Sequence, residues 1–286
     1  SIDITHDEYI KIKNLDFPDF QDTNLIKIYD ISNQMLCFSK CSIISKCAFV
    51  SFNGSKCRLL KRYAFRMLVE SSKSAYCKNN CDDINGLINY WPIYESQVND
   101  IVEGKDLYAP VNAFTTADRH GNENAAIRLK SGYYRVPEGV YFNGDFTVMA
   151  WAKVNKLVSF SRLFDFGVSR SSVLIFLSEA GTGKPGVDVI SSKDLFTYST
   201  FNKPVELSKW FHIAAVLKDS ILSLYFNCTF QSSHLSNIPT RINRNLNFIG
   251  KSNMGNPNAD ADIDDFKIFN RALNIQEITD ECKELF

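Results

Sequence analysis

Six of the eight cysteines, Cys37, Cys41, Cys47, Cys57, Cys77 and Cys81, fall within one 45-residue stretch, and only Cys228 and Cys282 lie beyond it. That density leaves two options for the stretch, a metal site or a disulfide framework. Structural zinc wants CxxC pairs or histidines at ligand spacing. Here the first gap is CxxxC, the next are five and nine residues, and His6, His120, His212 and His234 all lie elsewhere. Disulfides are the better fit. They imply an oxidising compartment, either secreted or on the outer face of a cell. Two glycosylation sequons, Asn53-Gly54-Ser55 and Asn227-Cys228-Thr229, agree with that setting.

A chain of 286 residues with 45% hydrophobic and 13% aromatic content is long and apolar enough for two domains. The formal net charge of zero gives no global attraction to nucleic acid. No apolar run reaches the 18 to 20 residues that a membrane span needs. The opening "SIDITHDEYI" is polar and acidic and does not read as a signal peptide.

Charge divides the first part of the chain. Residues 1–33 hold seven acids and three bases, whereas residues 34–80 hold nine bases and a single acid, Glu70. Lys56, Arg58, Lys61, Arg62 and Arg66 sit in this basic run and are candidates for binding a glycan or another anion. The alternative is an ordinary solvated face. "NQMLCFSKCSIIS" has apolar residues at helical spacing, so a short amphipathic helix is expected, with Cys37 and Cys41 four apart on one face. "CAFVSFN" reads as a strand stopped by the Asn53-Gly54 turn, and "SKCRLLKRYA" as its partner.

The pattern in "CFSKCSIISKCAFVSFNGSKCRLL" resembles the PAN/apple domain, over roughly residues 5 to 81. The resemblance implies a Cys41–Cys47 pair and a Cys37–Cys57 pair. Apple domains usually have a further bridge joining their two ends, but no cysteine precedes Cys37 here, so Cys77 and Cys81 need other partners. The first domain is accordingly expected over residues 1–81, as a small disulfide-rich α+β unit.

Downstream, strand patterns dominate. "DFTVMAWAKV" alternates, with Phe146, Val148 and Ala150 on one side and Met149 and Trp151 on the other. "KWFHIAAVLKDSILSLYFN" reads as a hairpin of Phe211 to Leu217 and Ile221 to Phe226. "SRLFDFGVSRSSVLIFLS" suggests two strands broken near Gly167, and "GTGKPG" an inter-strand turn. Trp91, Trp151 and Trp210 are expected in the core; Tyr133, Tyr134 and Tyr141 are either core residues or surfaces for stacking on sugars. Only "NIQEITDECKEL" looks helical, with Asn274 as N-cap and Glu277 in the capping-box position. Many short strands and a single helix predict an all-β sandwich or jelly roll.

The order of "GLINYWPI", "DRHGNENAA", "GDFTVMAWAKV", "SRLFDFG", the hairpin and "DIDDFKIFNRALNIQEI" resembles a laminin-G-like jelly roll, the concanavalin A-like fold, over roughly residues 84 to 280. The chain therefore reads as mainly β, with a second domain at 84–286 that ends in a short helix. Two departures stand out. Cys228 occupies a position in "YFNCTF" where Gly is more usual, and "AIRLKSGYYRV" lacks the usual Phe-Asp-Gly turn. Cys282 could pair with Cys77 or Cys81 and tie the two domains together, or with Cys228 while Cys77 and Cys81 pair locally.

Four aspartates, Asp260, Asp262, Asp264 and Asp265, crowd the last strand. In the resembling family a structural Ca²⁺ sits in some members between the regions of "DRHGNENAA" and "DIDDF". Carried over, the resemblance implies Asp264 as metal ligand, with Asn122 and Asp100 as partners, and Ca²⁺ as the cofactor. Alternatively Asp264 accepts backbone N–H bonds, or pairs with Arg119 or Arg271. No E-x-D-x-x-E run, G-x-S-x-G or Walker A occurs, so a glycosidase ranks third. The first expectation is a non-catalytic extracellular recognition protein for glycans, sulfated polysaccharide among them, or for a surface or matrix protein. The second is an adhesive module without lectin activity.

Overall fold

The computed structural model describes residues 9–16, 25–44, 47–60, 69–78, 86–100, 102–192 and 195–283. The chain divides into two compact units, Ser1–Asn85 with Lys283–Phe286, and Gly86–Cys282.

The first unit comprises β1 (Tyr9–Asp16), β2 (Leu25–Asp30), α1 (Gln34–Ser42), β3 (Phe49–Phe52), β4 (Lys56–Leu60) and β5 (Val69–Lys78). Its strands form one antiparallel sheet in the order β1-β5-β3-β4-β2. Asn33 caps α1, its Oδ1 accepting from the N–H of Met35 and Leu36 at 2.9 and 3.2 Å. The face of α1 bearing Cys37, Phe38 and Cys41 is buried. Cys37 bridges to Cys57 on β4, and Cys41 to Cys47 just before β3. These are the pairs the resemblance implies, and they pin the helix to two neighbouring strands. The Cys77 side chain and Cys81 lie outside the described residues.

The second unit comprises β6 (Leu87–Trp91), β7 (Tyr108–Thr116), β8 (Ala126–Val136), β9 (Phe146–Val154), β10 (Arg162–Val168), β11 (Ser171–Phe176), β12 (Gly186–Ser192), β13 (Leu195–Thr200), β14 (Trp210–Lys218), β15 (Ile221–Phe226), β16 (Thr229–Leu235), β17 (Leu246–Ile249), β18 (Ala259–Phe269) and α2 (Ile275–Lys283). Hydrogen bonding runs β13-β12-β11-β10-β17-β8-β18-β9-β14-β15-β16, with β6 on β18 and β7 on β8. The path folds back on itself as a β-sandwich. Phe201, just after β13, packs on Phe226 of β15 at 6.3 Å, so strands from opposite halves of the path meet across the core.

Period-two alternation decides which side chains enter that core. Val148, Ala150 and Ala152 of β9 and Ile213, Ala215 and Leu217 of β14 point in; Trp151 and His212 point out and pack edge to face at 5.4 Å. The β14–β15 hairpin turns at Asp219 and Ser220, both at positive φ (48° and 68°). The break expected near Gly167 falls instead at Ser169-Arg170. Gly167 is a strand residue over which Ser172 and Asn253 close. A Cβ there would lie 3.0 and 3.1 Å from Ser172 Oγ and Asn253 Nδ2. Trp91 is core, as expected, but Trp151 and Trp210 are half-buried on the outer face.

At the C-terminus Asn274 Oδ1 accepts from Gln276 N and Glu277 N, and Glu277 Oε2 accepts from Asn274 N, completing a capping box. The helix brings Cys282 to Cys228 at the β15–β16 turn, and the two are bridged. Pairing of Cys282 with Cys77 or Cys81 is thereby excluded. Among the described residues no helix is long and apolar enough to cross a membrane.

Candidate functional site

The aspartate-rich strand is not a solvated rim. Asp262 and Asp264 are 2% and 3% exposed. Asp260 pairs with Arg128 at 2.6 Å, and Asp262 with Lys153 at 2.6 Å and Arg128 at 3.4 Å. Next to them β18 bulges against β9, where three residues from Asp264 are accommodated opposite two on β9, and Asp265 takes φ 50°. The bulge turns two adjacent carboxylates toward one guanidinium. Arg119 Nη1 donates to Asp264 Oδ2 at 2.5 Å, and Nη2 to Asp265 Oδ2 at 2.7 Å. The same guanidinium lies 4.8 Å over the Trp151 ring.

Further charges close the cluster. The Tyr90 hydroxyl donates to Asp265, and Lys267 pairs with Glu281 of α2 at 2.8 Å, nearly fully buried. Burial, then the charge of Asp265, push the Asp264 carboxyl well above its usual range against the pull of Arg119. Burial acts to raise Asp265 as well, but Lys267, Arg119 and Tyr90 outweigh it and hold that carboxyl low. His212, buried beside them, is pushed down to about 3, first by burial and then by Lys267 and Arg119. This is a sealed charge network.

The three residues expected to share a metal each have their own protein partners. Asp264 has Arg119. Asn122 donates to Asp118, which also accepts from the backbone N–H of His120 and Asn122 and so shapes the loop that delivers Arg119. Asp100 accepts from Asn89 Nδ2 at 2.6 Å and from the backbone of Tyr90, Val102, Glu103 and Lys105. Among the described residues no group of three or more His, Cys, Asp or Glu is arranged to hold a metal ion.

In the first unit Lys56 is exposed, but Arg58 is only 7% exposed and donates to Ser51 Oγ at 2.8 Å, so its guanidinium faces inward. Lys61, Arg62 and Arg66 lie outside the described residues. The sequon asparagines Asn53 and Asn227 are both exposed, each with its Oδ1 occupied by backbone N–H groups.

A different basic surface lies on the sandwich, outside the core at β8 and β17. Phe248 of β17 faces Arg135 of β8 in register. The Arg135 guanidinium lies 5.3 Å from the Phe248 ring centre. The Lys251 ammonium lies 4.7 Å from both the Phe248 and Tyr133 rings, which themselves meet edge to face at 5.6 Å. Neither cation has an acidic partner among the described residues. Tyr134 and Tyr141 are buried, whereas Tyr133 is half-exposed. The sequence signal for this patch was the outward alternation of Tyr133 and Arg135 in "YYRV", which pattern reading alone leaves as a solvated face.

The family model of the Concanavalin A-like lectin/glucanases superfamily matches residues 129–279. No curated protein matches the chain. Several solved structures share the fold. The binding domain of Paraclostridial Mosquitocidal Protein 1 is 16% identical with a TM-score of 0.54, over 71% of this chain and 53% of that one. Domain 4 of AbnA, a GH43 extracellular arabinanase from Geobacillus stearothermophilus in complex with arabinotriose, is 18% identical with a TM-score of 0.52, over 69% and 98%. Botulinum neurotoxin type C, whose cell entry depends upon interaction with two ganglioside molecules, is 16% identical with a TM-score of 0.54, over 72% and 52%. The chain thus spans about half the length of the toxin structures it matches.

Proposed function

Because the chain belongs to the Concanavalin A-like lectin/glucanases superfamily, we propose that it acts as an extracellular, non-catalytic recognition protein whose sandwich binds an anionic glycan. The observation behind this reading is the pair Arg135 and Lys251, held on the Tyr133 and Phe248 rings without an acidic partner. Both cations lie within about 5 Å of the Phe248 ring centre, so they make a locally positive surface that a sulfate or carboxylate would neutralise. The rings limit the freedom of both side chains, so little entropy is lost on binding. Three disulfides support an oxidising, extracellular setting. The first unit is read as apple-like, on the strength of its helix pinned to two strands by disulfides.

Heparin chromatography tests this reading. Retention should fall as salt rises, and Arg135→Glu with Lys251→Glu should abolish it while leaving the melting temperature within a degree or so. Unchanged retention in that double variant, or none at low salt in the wild type, rejects the reading.

One observation favours a protein partner as second reading. β7 pairs only with β8 among the described strands, and its Tyr108, Val111 and Phe114 are exposed. An apolar sheet edge suits docking of another chain. Crosslinking a Phe114→benzoylphenylalanine variant to an extracellular protein, in the absence of glycan binding, would favour it.

A further inference from the structure

We propose that the outer face of β11, β12 and β13 holds a separate subsite for an uncharged, hydroxyl-rich sugar ring, which stacks on Tyr198 and hydrogen-bonds to Asp188. The subsite rests on the reading of the sandwich as a glycan binder, but it uses none of the residues assigned to the anionic patch.

Tyr198 is 42% exposed, and one face of its ring lies on Phe176 at 5.3 Å with 14° between planes. The two rings belong to β13 and β11, with β12 between them. Phe176 can cross β12 only because Gly186 stands opposite it in register. A Cβ at Gly186 would come within 2.1 Å of Phe176 Cζ. The Tyr198 hydroxyl donates to Glu179, which fixes the ring from its far end. A rigid, half-exposed aromatic ring presents a flat apolar face, and the C–H side of a pyranose matches it.

Asp188 is the cross-strand neighbour of Tyr198. Its Oδ1 is buried with no hydrogen-bond partner, although Asp188 is only partly buried overall. Because Oδ1 is sealed from solvent, a sugar hydroxyl, which is a donor, meets this carboxylate at Oδ2, on the exposed side of the residue. Burial pushes this carboxyl up to about 6 against the pull of Arg162, with a smaller push from the charge of Asp165. It is therefore ionised at neutral pH, with the Arg162 charge nearby but no hydrogen bond to it. Arg162 sits on the same side of the sheet, with Nη1 on the Phe160 carbonyl and Nη2 on Asn256, while its Nε has no hydrogen bond.

The same geometry argues against hydrolysis at this place. Glycoside cleavage requires two accessible carboxylates about 5–10 Å apart. Asp165, which lies two strands from Asp188, is 0% exposed and accepts from Ser172 Oγ, Asn253 N and Asn253 Nδ2. It is sealed beneath Asn253 and cannot reach a substrate. One open carboxylate beside one open ring makes a binding site.

A printed array of neutral and acidic oligosaccharides, followed by calorimetry on the methyl glycoside of any neutral hit, tests the subsite. The probes are the wild type, Tyr198→Ala, Asp188→Asn and the Arg135→Glu/Lys251→Glu double variant. We expect neutral hits that weaken at least tenfold in both single variants and change less than twofold in the double variant. Asp188→Asn removes a buried charge, so its melting temperature should not fall, and lost binding there cannot be blamed on misfolding. Neutral binding that survives Tyr198→Ala and Asp188→Asn, or no neutral hit at millimolar probe, overturns the subsite. Loss of acidic hits alone in the double variant leaves it standing, and loss of both classes there means a single site and overturns it. Turnover of a chromogenic glycoside that Asp188→Asn abolishes would replace binding by catalysis and also overturn it.

Discussion

Arg119 Nη1 lies 2.5 Å from Asp264 Oδ2, although 145 residues of chain separate the two. The pair is buried against Trp151, so the Asp264 carboxylate already has a cationic partner within the protein. The same Arg119 guanidinium pairs with Asp265, whose carboxyl is held low, so removing it leaves a buried charge under-compensated, at a cost of about 3–5 kcal/mol. Arg119→Ala should therefore lower stability by that order in urea denaturation. EDTA should leave the wild-type melting temperature unchanged. A drop with EDTA that added Ca²⁺ reverses would refute the assignment.

Asp264→Asn should behave differently from Arg119→Ala. The Asp264 carboxyl is already pushed upward, so losing its charge costs little, whereas Asp265→Asn removes a carboxylate that Lys267, Arg119 and Tyr90 hold ionised. The Asp265 variant should be the less stable of the two by ~1–3 kcal/mol. The reverse order in chemical denaturation would contradict the charge assignment.

His212 sets an acid limit on the fold. Its folded pKa is lowered to about 3, whereas in the unfolded chain it takes up a proton near 6.5. The unfolded state binds more protons below that value, so stability is full above pH 6.5 and declines as pH falls towards 3. The loss is about 1.4 kcal/mol for each unit crossed. His212→Gln should flatten the stability profile across that window, whatever its effect at pH 7.5.

Asp188 has the opposite sign. Its folded pKa is raised to about 6 against an ordinary 3.8. Its favourable term is fully present below pH 3.8 and is lost as pH rises through 6. At pH 7.5 Asp188→Asn should stabilise the fold by up to ~3 kcal/mol, and this gain should vanish near pH 4. Thermal melts of the two proteins at both values decide the matter.

Gly186→Ala should remove the Phe176–Tyr198 stack without touching either ring. The new methyl would collide with Phe176. The expected cost is about 1–3 kcal/mol, together with a change in Tyr198 fluorescence or near-ultraviolet dichroism. An unchanged spectrum would mean that Phe176 reaches Tyr198 by another route.

How far the sequence revealed this molecule depended on the range of the interaction. Local signals were readable: the Asn53-Gly54 turn, the hairpin around Asp219-Ser220, and the Asn274–Glu277 cap all use residues within a few positions of one another. The sandwich and the helical disulfides were legible through family resemblance. Burial of Asp262 and Asp264 was not, because a row of aspartates looks solvated until Arg119, Arg128 and Lys153 arrive from other strands. Gly186 looked like the end of a turn, since nothing near it in sequence reveals Phe176 opposite it on the neighbouring strand. Asp188, flanked by Val187 and Val189, gave only an alternating pattern and no hint of an unmet oxygen.

The Cys228–Cys282 bridge also governs how the sandwich bears load. A pull on the chain beyond Cys282 passes through the sulfurs directly to the β15–β16 turn, and the 54-residue separation between the two cysteines never comes under tension. Neither α2 nor β18 can be peeled away from that end, and the Arg119 network beneath them stays shut. In a single-molecule stretching experiment those residues would add their contour length, about 3.3–3.6 Å each, only after a reductant is supplied. The bond therefore acts as a mechanical bypass around the strand with the densest charge in the fold.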